Sequence, residues 1–476
     1  MRPTLLALLL AIAPAGYATG THAEPAPPPA PARAAGEAQK ELDRLAAWAE
    51  REKGELSAQV IEVATRRVVA EKNPGLPLNP ASNAKVPTAA AVLARMGADH
   101  RFKSGLYGEL KDGVVPRLVL RSNGDPTLSS RDLDKWVKEL VDAGLKRVAD
   151  IQVDQSAFDA RFVPPAFEQQ PAEWAPFRAP VSAVSLDRNA FVVRVVPAKL
   201  GEPAQASVDP AGFVDVDGKV LSEKKGKTLV VEMRPSGGAL AIRLSGHVSK
   251  PTSFVKRVDD PRLFAAHVLR AQLKRRGVVV DGGVGEGGKD ETRVLVEKTS
   301  EPLSVILRDV GKHSDNFTAE MLLKALGGHA SRRAGASADG AAAVTEWLKS
   351  AGAADPGTRI VNGSGLFDAN RLSAASLVSA QVAASNDPKT GVAFVEQLAV
   401  GGIDGTLRNR FKQLKKKLRG KTGTLARATS LSGVVLGADG RPRLAFAVVI
   451  NGIAGKADEQ RRRIDRVVEK AAAERR

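Results

Sequence analysis

The chain has 476 residues, 43% of them hydrophobic, enough to bury a large core and long enough for two or three domains. It contains no cysteine, which excludes disulfides, thiol catalysis, thiolate metal sites and lipoprotein attachment. A formal charge of +18 ordinarily points to nucleic acid, yet only 4% of residues are aromatic, which leaves little surface for stacking bases.

Residues 1–23 read as an export signal, in which Arg2 supplies the charge, "LLALLLAIA" the apolar segment and "THA" a small-residue cleavage site. That segment is too short to span a bilayer, and no other stretch is long and apolar enough. The expected location is periplasmic or cell-envelope associated, where nucleic acid is scarce, and no nucleic-acid partner is expected. Residues 24–38, "EPAPPPAPARAAGEA", read as a Pro/Ala-rich tether. "QKELDRLAAWAEREKG" has helical spacing, and "LSAQVIEVATRRVVAEKN" alternates as a β-hairpin. "PASNAKVPTAAAVL" (80–93) then opens a small-residue helix, in a segment running to residue 98.

Residues 99–290 change character and read as an insert. "RLVLRSNGDPTLSSRDLDKWVKELVDAG" gives strand, turn and helix, with Ser129 or Ser130 as the cap. "VADIQVDQSAF" is another strand, and short β segments from about 190 to 255 predict a nested all-β unit. "PRLFAAHVLRAQLKRRG" restores a helix, and "VVVDGGVGEGG" a strand with a glycine turn. Residues 291–476 read as one compact unit with three helices, two strongly apolar strands and a charged terminal helix. Two apolar strands joined by a short turn imply antiparallel pairing, and the fold class is α+β.

Several chemistries lack their residues. No G-x-S-x-G elbow, P-loop or paired-glycine dinucleotide turn occurs, and the six histidines form no metal-ligand spacing, so neither cofactor nor metal is expected. What remains is serine with lysine, which can act as a base when burial and a second cation lower its proton affinity. Ser-x-x-Lys occurs three times, at Ser82–Lys85, Ser222–Lys225 and Ser253–Lys256, so the spacing alone selects none. Only Ser82 follows an extended Asn-Pro and opens a helix, where three positions put both side chains on one face. The same pair also fits an N-cap serine beside a surface lysine.

Two further elements bear on that choice. "HSDN" (313–316) holds the only Ser-x-Asn and leads into a helix, where Ser314 or Asp315 can cap, or Ser314 can relay a proton while Asn316 binds a substrate amide. "GKTGTL" (420–425) precedes the apolar strands; a Lys-Thr-Gly edge strand can dock a peptide by β-addition while its lysine and threonine meet a carboxylate. A second Lys-Thr-Gly at 389–391 follows a proline and reads as a helix start. The basic run "KQLKKKLRGK" (412–421) reads either as a solvated face or as a contact for an anionic envelope surface.

Ser-x-x-Lys, Ser-x-Asn and Lys-Thr-Gly in this order resemble the penicillin-recognising serine enzymes. Together with "GDPTL" (124–128), "NGSGL" (362–366) and "GGIDGTL" (401–407), they resemble the D-alanyl-D-alanine carboxypeptidase/endopeptidase family, class C low-molecular-mass penicillin-binding proteins. Asn362 stands where that family often has Asp. The resemblance implies a transpeptidase/β-lactamase-like catalytic domain, with a five-stranded antiparallel sheet flanked by helices. An insert forming one larger and one nested domain would split it into parts at 39–98 and 291–476. It implies a Ser82 acyl-enzyme formed on peptidoglycan stem peptides, with Lys85 as base, Ser314 and Lys421 at the leaving amine and Asn316 on the substrate amide. Lys421, Thr422 and Thr424, with Gly423 between them, would hold the terminal carboxylate, and the backbone N–H groups of Ser82 and Thr424 would form an oxyanion hole. β-Lactam antibiotics would be covalent inhibitors. Two rival functions are a serine β-lactamase, for which Glu346 is the nearest deacylating base, and a non-catalytic envelope-binding protein.

Overall fold

The computed structural model describes residues 36–236 and 239–474. The export signal expected over 1–23 lies outside the described residues, as does the tether as far as residue 35. The end of that tether is already helix: Glu37–Arg51 begins inside it, and Ala38 is fully buried.

Segments 55–72 and 399–451 meet in one antiparallel sheet. Its order is Ala399–Val400, Leu418–Leu425, Ala428–Leu436, Pro442–Asn451, Glu55–Glu62 and Val68–Lys72. The N-terminal hairpin therefore completes a C-terminal meander, with Leu56 opposite Ile450 and Val60 opposite Phe446. Both faces of the sheet are covered, which is why Leu444 through Ile450 form an unbroken buried run instead of alternating. Leu444, Phe446, Val448 and Ile450 face the helices Glu37–Arg51 and Ala457–Ala473, which contribute Leu42, Trp48, Ile464 and Val467. Ala445, Ala447 and Val449 face the opposite helical layer, which includes Lys85–Met96 and Ala374–Ser385.

The sheet has six strands where five were expected. The additional one is two residues long, because Ala399 and Val400 pair with Gly420 and Arg419 before the chain turns at Gly401–Gly402. A second sheet lies in the insert: Arg147–Asp154 pairs parallel with Val114–Ser122, and the helix Ser130–Asp142 makes the crossover. Ser129 caps that helix in a capping box with Asp132. Val294–Thr299 pairs with Lys103–Tyr107 in this sheet, so the boundary expected at 290–291 falls inside a strand system that continues to Thr299. The nested β region also differs from a single unit, since it forms two three-stranded sheets. One comprises Val214–Ser222, Ala239–Val248 and Lys227–Ser236, and the other Thr252–Arg257, Ala190–Val196 and Gln205–Asp209. Among the described residues no helix is long and apolar enough to cross a membrane.

Candidate active site

Ser82 sits in a short 3-10 turn, Ala81–Ala84, immediately before the helix Lys85–Met96. It occupies the cap position of neither element, so the capping alternative fails. Polar side chains pin this turn from both sides. Asn79 N–H donates to Asn451 Oδ1 at 2.8 Å, and Asn451 Nδ2 returns a bond to Asn79 O at 3.0 Å. Asn83 Nδ2 donates to Ser430 Oγ at 2.7 Å, and Ser432 Oγ donates to Asn83 Oδ1 at 2.6 Å. Ala81, just before Ser82, has φ +48°, a left-handed conformation stored at the site. Gly365 lies against it at φ +74°, and any Cβ there would collide with the Ala81 carbonyl.

Lys85, on the first turn of its helix, is 1% exposed. Its Nζ lies 3.1 Å from Ser82 Oγ, 2.7 Å from Asn316 Oδ1 and 2.6 Å from Ser364 O. The two short contacts occupy two N–H bonds of a neutral amine. Its lone pair is then free to receive the Ser82 proton along the third. Burial brings Lys85 down from the usual lysine range to about 7, against the opposing pull of Glu320 and Asp315.

Ser314 and Asn316 flank the start of the helix Asn316–Ser331. Asp315 caps that helix by accepting from Thr318 N–H at 2.7 Å, which leaves the Ser314 hydroxyl free of that task. Ser314, at φ +59°, instead has its Oγ 2.8 Å from Lys421 Nζ. One N–H of the Asn316 amide is taken by Phe177 O of the insert at 2.9 Å, which leaves the other for a ligand. Lys421 comes from the strand Leu418–Leu425 and also donates to Thr422 O at 2.6 Å. Burial, then the charge of Lys85, holds Lys421 well below the usual lysine range. Gly423 is where this strand passes the turn that carries Ser82, and a Cβ there would strike Ser430 Oγ.

Glu320 escaped the sequence reading. It follows Asn316 by one helical turn, is fully buried, and accepts from Gly363 N–H at 3.1 Å and Ser364 N–H at 2.8 Å. It therefore holds the backbone on the N-terminal side of Ser364, whose carbonyl receives Lys85. Burial pushes its carboxyl up, while the Gly363 and Ser364 hydrogen bonds and the Lys85 charge pull it down. Lys85 and Glu320 are buried together, and the charge of each opposes the shift that burial gives the other. The signal in the sequence was an acid inside the apolar run "NFTAEMLLKAL".

A cleft of about 720 Å³ opens over these groups, with Ser82, Ser314, Asn316 and Thr424 in its wall. The structure thus brings all three motifs together. Thr422 Oγ1 pairs with Thr406 Oγ1 at 2.9 Å at the same strand. Glu346 is elsewhere: it pairs with Arg95 on an exposed face and lines a different recess. Asp368 is the one carboxylate in the cleft wall among the described residues, and it is tied to Arg371 at 2.6 Å and to Asn79 at 3.2 Å. The second Lys-Thr-Gly, at 389–391, starts the helix Gly391–Gln397 as expected.

A buried serine–lysine pair, a second serine–lysine pair and a β-strand edge meet in a transpeptidase/β-lactamase-like α+β fold, and the class of protein is a serine peptidase hydrolase. The chain belongs to the D-Ala-D-Ala carboxypeptidase 3 (S13) family, whose description matches residues 38–473. It is 33% identical over 425 residues to the D-alanyl-D-alanine carboxypeptidase of Actinomadura sp. (strain R39), covering 84% of this chain and 78% of that protein. It is 26% identical to the D-alanyl-D-alanine carboxypeptidase DacB of Haemophilus influenzae, covering 81% of this chain and 83% of the relative. The solved penicillin binding protein 4 of Haemophilus influenzae shares the fold, with a TM-score of 0.76 at 22% identity over 90% of this chain and 99% of that one. That protein has also been solved in complex with a β-lactam.

Proposed function

We propose that the protein is a serine-type D-alanyl-D-alanine carboxypeptidase or endopeptidase acting on peptidoglycan stem peptides, and that Ser82 carries the acyl group. The observation that carries this reading is Lys85, buried, with Ser82 Oγ as its third partner after two short hydrogen bonds. Ser82 Oγ attacks the carbonyl of the penultimate D-alanine, and its proton passes to the Lys85 amine. Backbone N–H groups of Ser82 and Thr424 stabilise the oxyanion, at about 3–4 kcal/mol per donor in other hydrolases. Ser314, hydrogen-bonded to Lys421, passes a proton to the leaving amine, while Asn316 holds the substrate amide. Lys421, Thr422 and Thr424 hold the carboxylate, and water then cleaves the ester.

Penicillins would acylate the same serine. The tethering of Asp368 and the distance of Glu346 from the cleft favour slow release over β-lactamase turnover. Export through residues 1–23 belongs to the same reading. So does peripheral contact of Lys412, Lys415, Lys416 and Lys417 with an anionic envelope surface, since none of them makes an ion pair among the described residues. Incubation of the purified protein with defined muropeptides tests the proposal. Release of D-alanine or of cross-linked partners is the expected product, and unchanged muropeptides would contradict it.

A further inference from the structure

Thr424 is held by a residue from the far end of the chain. Arg461 lies in the first turns of the terminal helix Ala457–Ala473, and Asp458 Oδ1 fixes its Nη1 at 2.7 Å. Its Nη2 donates to Thr424 Oγ1 at 3.1 Å. A guanidinium only donates, so Thr424 must be the acceptor in that bond. The single hydroxyl proton of Thr424 is then directed away from Arg461. Thr424 is exposed and lines the cleft, so the proton and the cation behind it face whatever occupies the cleft.

Arg371 and Lys421 are committed elsewhere, whereas Arg427 lines the cleft with no ion pair among the described residues. Arg371 is paired with Asp368, and Lys421 is buried against Ser314 and Thr422 O. Arg427 donates to Gly452 O at 2.5 Å. Arg461 differs in that one arm of its fork is anchored on Asp458 and the other acts on a hydroxyl in the cleft wall.

We propose that Arg461 is a positioning residue, acting through Thr424, that selects substrates whose leaving nitrogen is borne on a carbon carrying a free carboxylate. This rests on the peptidase reading above. A carboxylate gains both an oriented hydroxyl donor and a nearby positive charge. A carboxamide at the same place offers no charge, and its N–H donors meet a hydroxyl oxygen with one of its two lone pairs already taken by Arg461.

The test uses the full-length protein and two peptides that end in D-alanyl-D-alanine, one with a free carboxylate and one with a carboxamide. Wild type should prefer the carboxylate. In Arg461→Met, kcat/KM for the carboxylate peptide should fall about tenfold, mostly through KM, while the amide peptide changes by less than about twofold. Arg461→Lys should recover part of the preference. An equal fall on both peptides would mark a merely structural contact and overturn the inference, as would an unchanged rate on the carboxylate peptide. Wild type that cleaves neither peptide removes the peptidase reading itself, and the inference with it.

Discussion

Ser82–Lys85 in the catalytic region and Ser222–Lys225 and Ser253–Lys256 in the insert share a spacing, yet only the first becomes a chemical pair. Ser82 and Lys85 lie on helical backbone, which turns both side chains to one face, and the lysine enters a dry space with acceptors waiting. Ser222 ends the strand Val214–Ser222 and spends its hydroxyl on Ala198 N–H at 2.9 Å, while Lys225 is exposed. Ser253 and Lys256 share the strand Thr252–Arg257, where three positions point side chains to opposite faces. The two regions also bury differently. Ala428–Leu436 is buried through its first eight residues, whereas no residue of Lys227–Ser236 is fully buried. Burial strips water from Lys85 and lowers its proton affinity, whereas Lys225 is exposed and Lys256 only half-buried, so neither loses its water in the same way.

The largest expected effect breaks that contrast at its centre. Lys85→Arg keeps the charge but cannot accept a proton, so acylation by a labelled penicillin should slow by roughly a thousandfold. Lys225→Arg and Lys256→Arg should leave it within about twofold, since neither lysine is buried beside Ser82. Acylation of the Lys85 variant within about tenfold of wild type would remove Lys85 as the base.

A second change sharpens the electrostatic side. In the proposed mechanism acylation needs neutral Lys85, so its rate should rise with pH through about 7. Glu320 works against the burial effect and helps Lys85 keep its proton. Glu320→Gln should therefore move the midpoint of the pH–rate profile to lower pH, read by penicillin labelling across buffers. A midpoint that stays or moves upward would contradict the account.

A smaller effect is expected where the two regions meet. Asn362 donates to Pro165 O of the insert at 3.0 Å and to Leu366 O at 3.1 Å, and it accepts from Gly365 N–H at 2.9 Å. Asn362→Asp removes both donors, and thermal unfolding should show a loss of about 1–3 kcal/mol per unsatisfied buried group. An unchanged unfolding midpoint would mean that the Pro165 and Leu366 carbonyls do not depend on the amide. The mildest perturbation is limited proteolysis, expected to cut first within or at the edges of residues 190–255. First cuts inside Ala428–Leu436 or Pro442–Asn451 would deny that the insert is the less protected region.

Local patterns made much of this legible in the sequence. Alternation gave the hairpin of Glu55–Glu62 and Val68–Lys72, and helical spacing gave Glu37–Arg51 and the terminal helix. The three motifs named the residues that now meet in one cleft. What was not legible depends on residues distant in the chain. The partners of Glu320 are backbone groups at Gly363 and Ser364, so no local pattern gives it a role. The pairing of Val294–Thr299 with Lys103–Tyr107 spans most of the insert and left the boundary misplaced. Asn79 and Asn451 read as loop residues until the sheet brings them face to face.

The central claim is that Ser82, and no other serine, is the nucleophile. Labelled penicillin followed by peptide mapping tests it most directly. The label should be found on Ser82 alone and should persist for about minutes or longer, because an ester without a positioned base hydrolyses slowly. Label on Ser314, Ser222 or Ser253, or no label at all, would contradict the assignment.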